Sequence, residues 1–206
     1  MALQTFVKVN NITNLSDARY CSGMGVNLLG FSLDSSSEKY VNPGLFAEIT
    51  GWVSGVELIG EFSFEFQPDI LNTLKEYPSI TWIEYDRLEE LKGLADSGYS
   101  PIYKMSLEEV KHIEPEVARE INESGIIFHV FSEDDILSED DLEVVKKLAA
   151  SCKVILGTGV TPENVLNLID SCGLFGISLS GGDEIKPGLR DFDQMAEILE
   201  KLEIED

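Results

Sequence analysis

Lys153-Val154-Ile155-Leu156-Gly157-Thr158-Gly159-Val160-Thr161-Pro162-Glu163-Asn164-Val165 is the stretch whose reading decides the fold. A short β-rich run, Lys153–Leu156, stops at two glycines. Thr161 as N-cap and Pro162 at the first helical position then open a helix expected over Thr161–Ile169. Strand, glycine turn and helix in that order form one βα unit, and Phe175–Leu179 begins the next, ending on Ser180-Gly181-Gly182. Upstream, β-rich runs recur at Phe6–Asn10, Leu28–Leu33, Val56–Glu61, Ile80–Glu84, Ile102–Met105 and Ile126–Phe131, each followed by an amphipathic helical stretch. The first helix is expected over Asn14–Met24, capped by Asn14 or Ser16. Alternation of this kind implies parallel strands. Eight units close into a (β/α)8 TIM barrel, whereas five or six would suggest an open doubly wound sheet.

The length of 206 residues is near the lower limit for such a barrel, so one domain over residues 1–206 with short loops is expected. The final Glu-Lys-Leu-Glu-Ile-Glu-Asp reads as a helix end fraying into an acidic tail. The acidic run Ser132–Asp141 is expected in the loop after the sixth strand, on the face where barrels of this kind place their sites. Lys and Arg number 15 against 38 Asp and Glu, a net charge of −23 that would repel a phosphate backbone and argues against a nucleic-acid partner. No apolar run approaches the ~18 residues of a membrane span, and the N-terminus lacks a signal-peptide pattern, so a cytoplasmic protein without a membrane partner is expected. Cys21, Cys152 and Cys172 lack metal-ligand spacing and read as reduced packing thiols. No metal cluster, dinucleotide fingerprint or Walker sequence appears, so no cofactor is expected. The charge favours solubility and leaves monomer and homodimer both open.

Two blocks carry a family resemblance. Val7-Lys8-Val9-Asn10-Asn11-Ile12-Thr13-Asn14-Leu15-Ser16-Asp17-Ala18 resembles the phosphoribosylanthranilate isomerase opening, Lys-Ile-Cys-Gly-Ile-Thr followed by an Asn-x-x-Asp-Ala helix start, and Gly30-Phe31 and Tyr40-Val41-Asn42-Pro43 fit the same pattern. Gly157–Val165 resembles the family's Gly-Gly-Leu-x-Pro-Glu-Asn-Val, and Gly176-Ile177-Ser178-Leu179-Ser180-Gly181-Gly182-Asp183-Glu184 its Gly-Val-Asp-Val-Ser-Ser-Gly-Val-Glu. Pro187-Gly188 and Asp191 match its Pro-Gly-x-Lys-Asp tail. The resemblance spans the chain in order, with a weak middle third. It implies a place in tryptophan biosynthesis and an Amadori rearrangement, in which an acid opens an aminoaldose ring and a base removes the proton from the sugar C2.

The family's base is the Cys of the opening motif and its acid an Asp ending the sixth strand. Strand alternation turns Lys8 and Asn10 inward, so Asn10 stands at the Cys position, where a carboxamide orients a substrate but cannot take a carbon-bound proton. Asn11 replaces the family Gly. His129 falls at the Asp position, or Val130 if the register slips by one; an imidazole there would serve as acid or base, or simply be hydrogen-bonded inside the barrel mouth. The family's Arg before Tyr-Val-Ser-Pro is Lys39 and its Asp in the eighth strand is Ser178. With Lys8, these are the candidate substrate-binding residues. Its Gln-Leu-His on the fourth strand is Trp82-Ile83-Glu84, and its Gly-rich loop after the sixth strand is Ser132-Glu133-Asp134-Asp135. The parity that turns Lys8 inward also turns Glu84 and Lys104 inward, as a structural ion-pair network or a new acid–base set, with Glu84 as a catalytic candidate.

Gly157, Thr158, Gly159, Ser180, Gly181 and Gly182 form two turns on adjacent strand ends, where backbone N–H groups can converge on a phosphate. Tight turns alone would also account for these glycines. The expected partner is a small phosphorylated sugar or similar anion. Three functions follow: the original isomerase with substituted groups, an isomerase for another phosphorylated sugar acting through His129 and Glu84, or a non-catalytic ligand-binding barrel. The departures favour an altered or lost original activity.

Overall fold

A computed structural model describes residues 2–63, 69–180, 184–186, 189–190 and 192–204. Eight parallel strands close into a barrel in chain order: β1 (Phe6–Asn10), β2 (Leu28–Ser32), β3 (Glu57–Glu61), β4 (Trp82–Tyr85), β5 (Ser100–Ser106), β6 (Ile127–Phe131), β7 (Val154–Leu156) and β8 (Gly176–Ser180). β8 returns to β1 in continuous register from Phe6↔Gly176 to Asn10↔Ser180. The expected (β/α)8 architecture is thus present, with every strand end within two residues of the one read from sequence.

Period-two alternation sorts the side chains. Val7, Val9, Leu29, Phe31, Ile83 and Phe128 point outward and pack under the helices in one large core. Leu28, Ile59, Ile102, Ile127 and Ile155 point inward and fill the lumen as an apolar layer, floored by Phe6, Trp82 and Phe175. Two residues further along the same strands stand Gly30, Glu61, Lys104, His129 and Gly157. The lumen therefore changes from hydrocarbon to charge over one period-two step, toward the C-terminal ends of the strands.

Helices α1 (Leu15–Gly23) and α2 (Pro43–Thr50) begin at Asn14 and Asn42, whose side chains accept from the N–H groups of Asp17 and Leu45. Around the rest of the barrel run α3 (Ile70–Leu74), α4 (Leu88–Ala95), α5 (Leu107–Val110), α6 (Pro115–Glu123), α7 (Glu139–Ala149), α8 (Val165–Cys172) and α9 (Asp193–Leu202).

Three expectations need correction, and one element was not expected. The helix expected to open at Thr161-Pro162 begins at Val165; residues 162–164 form a turn, because the Asn164 side chain accepts from Thr161 N–H and holds the chain in a bend. The acidic run is only partly loop, since Ser138 caps α7 with Asp141 in a reciprocal capping box and Glu139, Asp140 and Asp141 form the first turn, where the helix dipole favours negative charge. The chain end is tied down as far as residue 204: Leu3 bridges Glu203, and Ile204 N–H donates to Ala2 O at 2.9 Å. Finally, a short antiparallel ribbon unforeseen from sequence follows β8, pairing β9 (Glu184–Lys186) with β10 (Leu189–Arg190).

Cys21, Cys152 and Cys172 are free and buried, and burial pushes the thiols of Cys21 and Cys152 up to about 12. Among the described residues no helix is long and apolar enough to cross a membrane, and no group of three or more His, Cys, Asp or Glu side chains converges as metal ligands would.

Candidate active site at the C-terminal mouth of the barrel

A cavity of about 850 Å³ opens at the C-terminal ends of the strands. Asn10, Glu61, Glu84, Lys104, His129 and Ser178 line it, each from a different strand. Under these residues lies Lys8, fully buried, whose ammonium pairs with Glu61 Oε1 at 2.6 Å and Glu84 Oε2 at 2.9 Å and donates to Asn10 Oδ1. A buried ammonium is tolerated only when its donors are satisfied, and these three acceptors satisfy them. Burial alone would lower the Lys8 pKa, but the two carboxylates hold it above its ordinary value.

Glu84 Oε2 also receives His129 Nδ1 at 2.8 Å. Burial works against ionising Glu84, yet His129, Lys8 and Lys104 together hold its carboxyl well below the usual carboxylate range. An ionised carboxylate only accepts, so Nδ1 carries the hydrogen of this bond. Nε2 is buried, without a hydrogen-bond partner among the described residues, and so is the Ser178 hydroxyl. Both lie beside Gly157, where a Cβ would overlap His129 Nε2 and crowd Ser178. The glycine keeps that side of the imidazole open. The one-residue slip that would have turned Val130 inward does not occur: Val130 belongs to the outer core.

Glu61 was missed by the sequence reading, although the parity applied to the other strands places it inward on β3. Its Oε2 accepts from Asn11 N–H at 3.2 Å. Asn11 has a left-handed φ of 56°, a conformation that explains Gly in the family pattern and that Asn tolerates best among the other residues. Gly30 faces the same carboxylate, which occupies the space a Cβ would need. Asp34 was also missed. It accepts from Ser36 and Ser63 on the rim, and although burial opposes its charge, these hydrogen bonds hold its pKa below the ordinary value.

The remaining candidates are placed unevenly. Gly157 and Ser180 line the cavity. Thr158 is buried, its hydroxyl donating to Asp135 Oδ1 at 3.1 Å, and Gly159 N–H donates to the same oxygen at 2.7 Å. Gly181 and Gly182 lie outside the described residues, as do Asp183, Pro187, Gly188 and Asp191. Lys39 does not join the site: it is exposed in the turn before α2 and does not line the cavity, contrary to its expected place at the substrate. Lys104 reaches the rim, its ammonium 4.7 Å from the centre of the Phe131 ring.

Residues 138–201 match the family model described as N-(5'-phosphoribosyl)anthranilate (PRA) isomerase. An N-(5'-phosphoribosyl)anthranilate isomerase of Trichormus variabilis is 26% identical over 211 residues, covering 95% of this chain and 97% of the relative. Among solved structures, phosphoribosyl anthranilate isomerase of Thermus thermophilus superposes with a TM-score of 0.76 at 23% identity, covering 96% of this chain and 98% of the other. A second, in complex with reduced 1-(o-carboxyphenylamino)-1-deoxyribulose 5-phosphate, gives 0.73 at 22% identity, covering 95% and 97%. With the same barrel, a C-terminal third that matches the family model and relatives aligned over nearly their whole length, this chain is similar to the phosphoribosylanthranilate isomerases from end to end.

Proposed function

We propose that this barrel is an aldose–ketose isomerase of the family's type with a rebuilt acid–base centre, its original activity altered or lost, acting on a small phosphorylated sugar or aminosugar. The observation that carries this reading is His129, whose Nδ1 is fixed on an ionised Glu84 while Nε2, beside the cavity, has no hydrogen-bond partner among the described residues. In the forward step Nε2 takes the proton from the sugar C2, and the imidazolium so formed is stabilised by the Glu84 charge that Lys8 holds in place. Asn10 cannot share that work; it orients the ligand by hydrogen bonding. The Ser178 hydroxyl, which has no hydrogen-bond partner among the described residues, meets a ligand hydroxyl. The ligand's phosphate goes to the corner of Gly157, Thr158, Gly159 and Ser180, where backbone N–H groups end two adjacent strands; that the ligand is a phosphorylated sugar derivative is supported by the similar structure solved with reduced 1-(o-carboxyphenylamino)-1-deoxyribulose 5-phosphate.

The test follows deuterium from solvent into C2 of N-(5'-phosphoribosyl)anthranilate and of a panel of aldose phosphates. Incorporation into at least one sugar is expected, reduced by about 10²–10⁴-fold in His129→Gln. The wild type is expected to turn over N-(5'-phosphoribosyl)anthranilate poorly, and the Asn10→Cys/His129→Asp pair to improve it. Equal incorporation by wild type and His129→Gln would remove His129 from the chemistry. Ligand binding without exchange on any sugar would leave a binding barrel instead.

A further inference from the structure

The corner expected to receive phosphate already holds an anion of the protein's own. Asp135 Oδ1 accepts from Gly159 N–H at 2.7 Å and from Thr158 Oγ1 at 3.1 Å, two donors at the end of β7. Its backbone sits at a left-handed φ of 49°, which Asp tolerates. Two residues on, Leu137 packs against Gly159 so closely that a Cβ on that glycine would overlap it. The segment after β6 is thereby laid over the end of β7 through one polar and one apolar contact.

The corner does not depend on Asp135 for its shape. Asn164 Nδ2 donates to Gly159 O at 2.8 Å, and Asn164 Oδ1 accepts from Thr161 N–H at 2.8 Å. Withdrawal of Asp135 would leave the Gly159 N–H and the Thr158 hydroxyl held in place for another acceptor. While Asp135 stays, an arriving phosphate meets occupied donors and a like charge at contact distance, with Glu133 and Asp134 exposed beside it.

We propose that Asp135 is an intramolecular competitor for phosphate at the end of β7, a specificity-determining residue that sets how strongly the cavity takes anionic ligands. The proposal rests on the phosphosugar reading for the identity of the natural ligand, but the competition is measurable with inorganic phosphate alone. Phosphate is titrated into the full chain and into Asp135→Ala and Asp135→Asn, with affinity read by calorimetry and the Gly159 amide followed by NMR. Asp135→Ala is expected to bind at least about tenfold more tightly than wild type, with the Gly159 amide shifting to saturation. Asp135→Asn keeps an acceptor oxygen but loses the charge, so it falls between the two and also reports on the competition should the alanine variant fold poorly. Equal affinity in wild type and both variants, binding that leaves Gly159 unmoved, or no binding by either variant would each overturn the proposal. The isotope exchange at His129 is a separate readout, so loss of one reading is not mistaken for loss of the other.

Discussion

At the scale of single residues, the site is decided by which buried charges find partners. Lys8 pairs with two carboxylates at once, so Lys8→Met leaves Glu61 and the buried Glu84 without the cation they share. Removing one member of a buried ionic group costs about 3–5 kcal/mol, and urea denaturation of this variant should show a loss in that range. Glu84, His129 and Asn10 were legible in the sequence because strand parity and the family pattern pointed to the same positions. Glu61 obeys the same parity, standing two residues after the inward Ile59 on β3. Asp135 was visible only as part of an acidic run, because its partners at Thr158 and Gly159 lie more than twenty residues away and spacing does not encode that contact. Lys39 was misplaced because a motif position fixes order along the chain but not the direction of a loop side chain.

At the scale of elements, closure of the barrel depends on how near β8 can approach β1. Gly176 faces Phe6 in register, and a Cβ there would overlap the Phe6 carbonyl, a backbone atom with nowhere to move. Gly176→Ala should therefore destabilise the protein by about 1–3 kcal/mol, read as a lowered urea midpoint, while Gly93→Ala, where a Cβ meets no neighbour, should not. The strands were readable because apolar runs ended by glycines or polar turns mark parallel strands well. The start of α8 was not, since Thr161-Pro162 carries a helix-start signal that the Asn164 side chain overrides by closing a turn. The β9–β10 ribbon escaped notice because neither strand exceeds three residues, too short for a hydrophobic period.

At the scale of the whole molecule, the buried groups give stability a window in pH. Glu84 has a folded pKa well below its ordinary 4.5, so its contribution is complete above that value and is lost as pH falls through the lower folded value. The Cys21 thiol moves the other way: its folded pKa is raised from 9.0 to about 12, so its contribution is complete below 9.0 and lost as pH rises toward 12. Lys8, raised above 10.5, adds to the alkaline limb beyond that point. Urea midpoints across pH should form a plateau between these limits, and the acid limb should flatten in Glu84→Gln. An acid limb unchanged by that substitution would mean that Glu84 is not ionised in the fold. The same ionisation underlies the proposed chemistry, because only a charged Glu84 fixes the hydrogen on Nδ1 of His129. The chain has two histidines, so their ring nitrogens can be resolved by long-range ¹H–¹⁵N NMR. In mildly alkaline solution the wild type should show His129 with its hydrogen on Nδ1 and a bare Nε2, a preference lost in Glu84→Gln. A hydrogen fixed on Nε2 in the wild type would contradict the account at its centre.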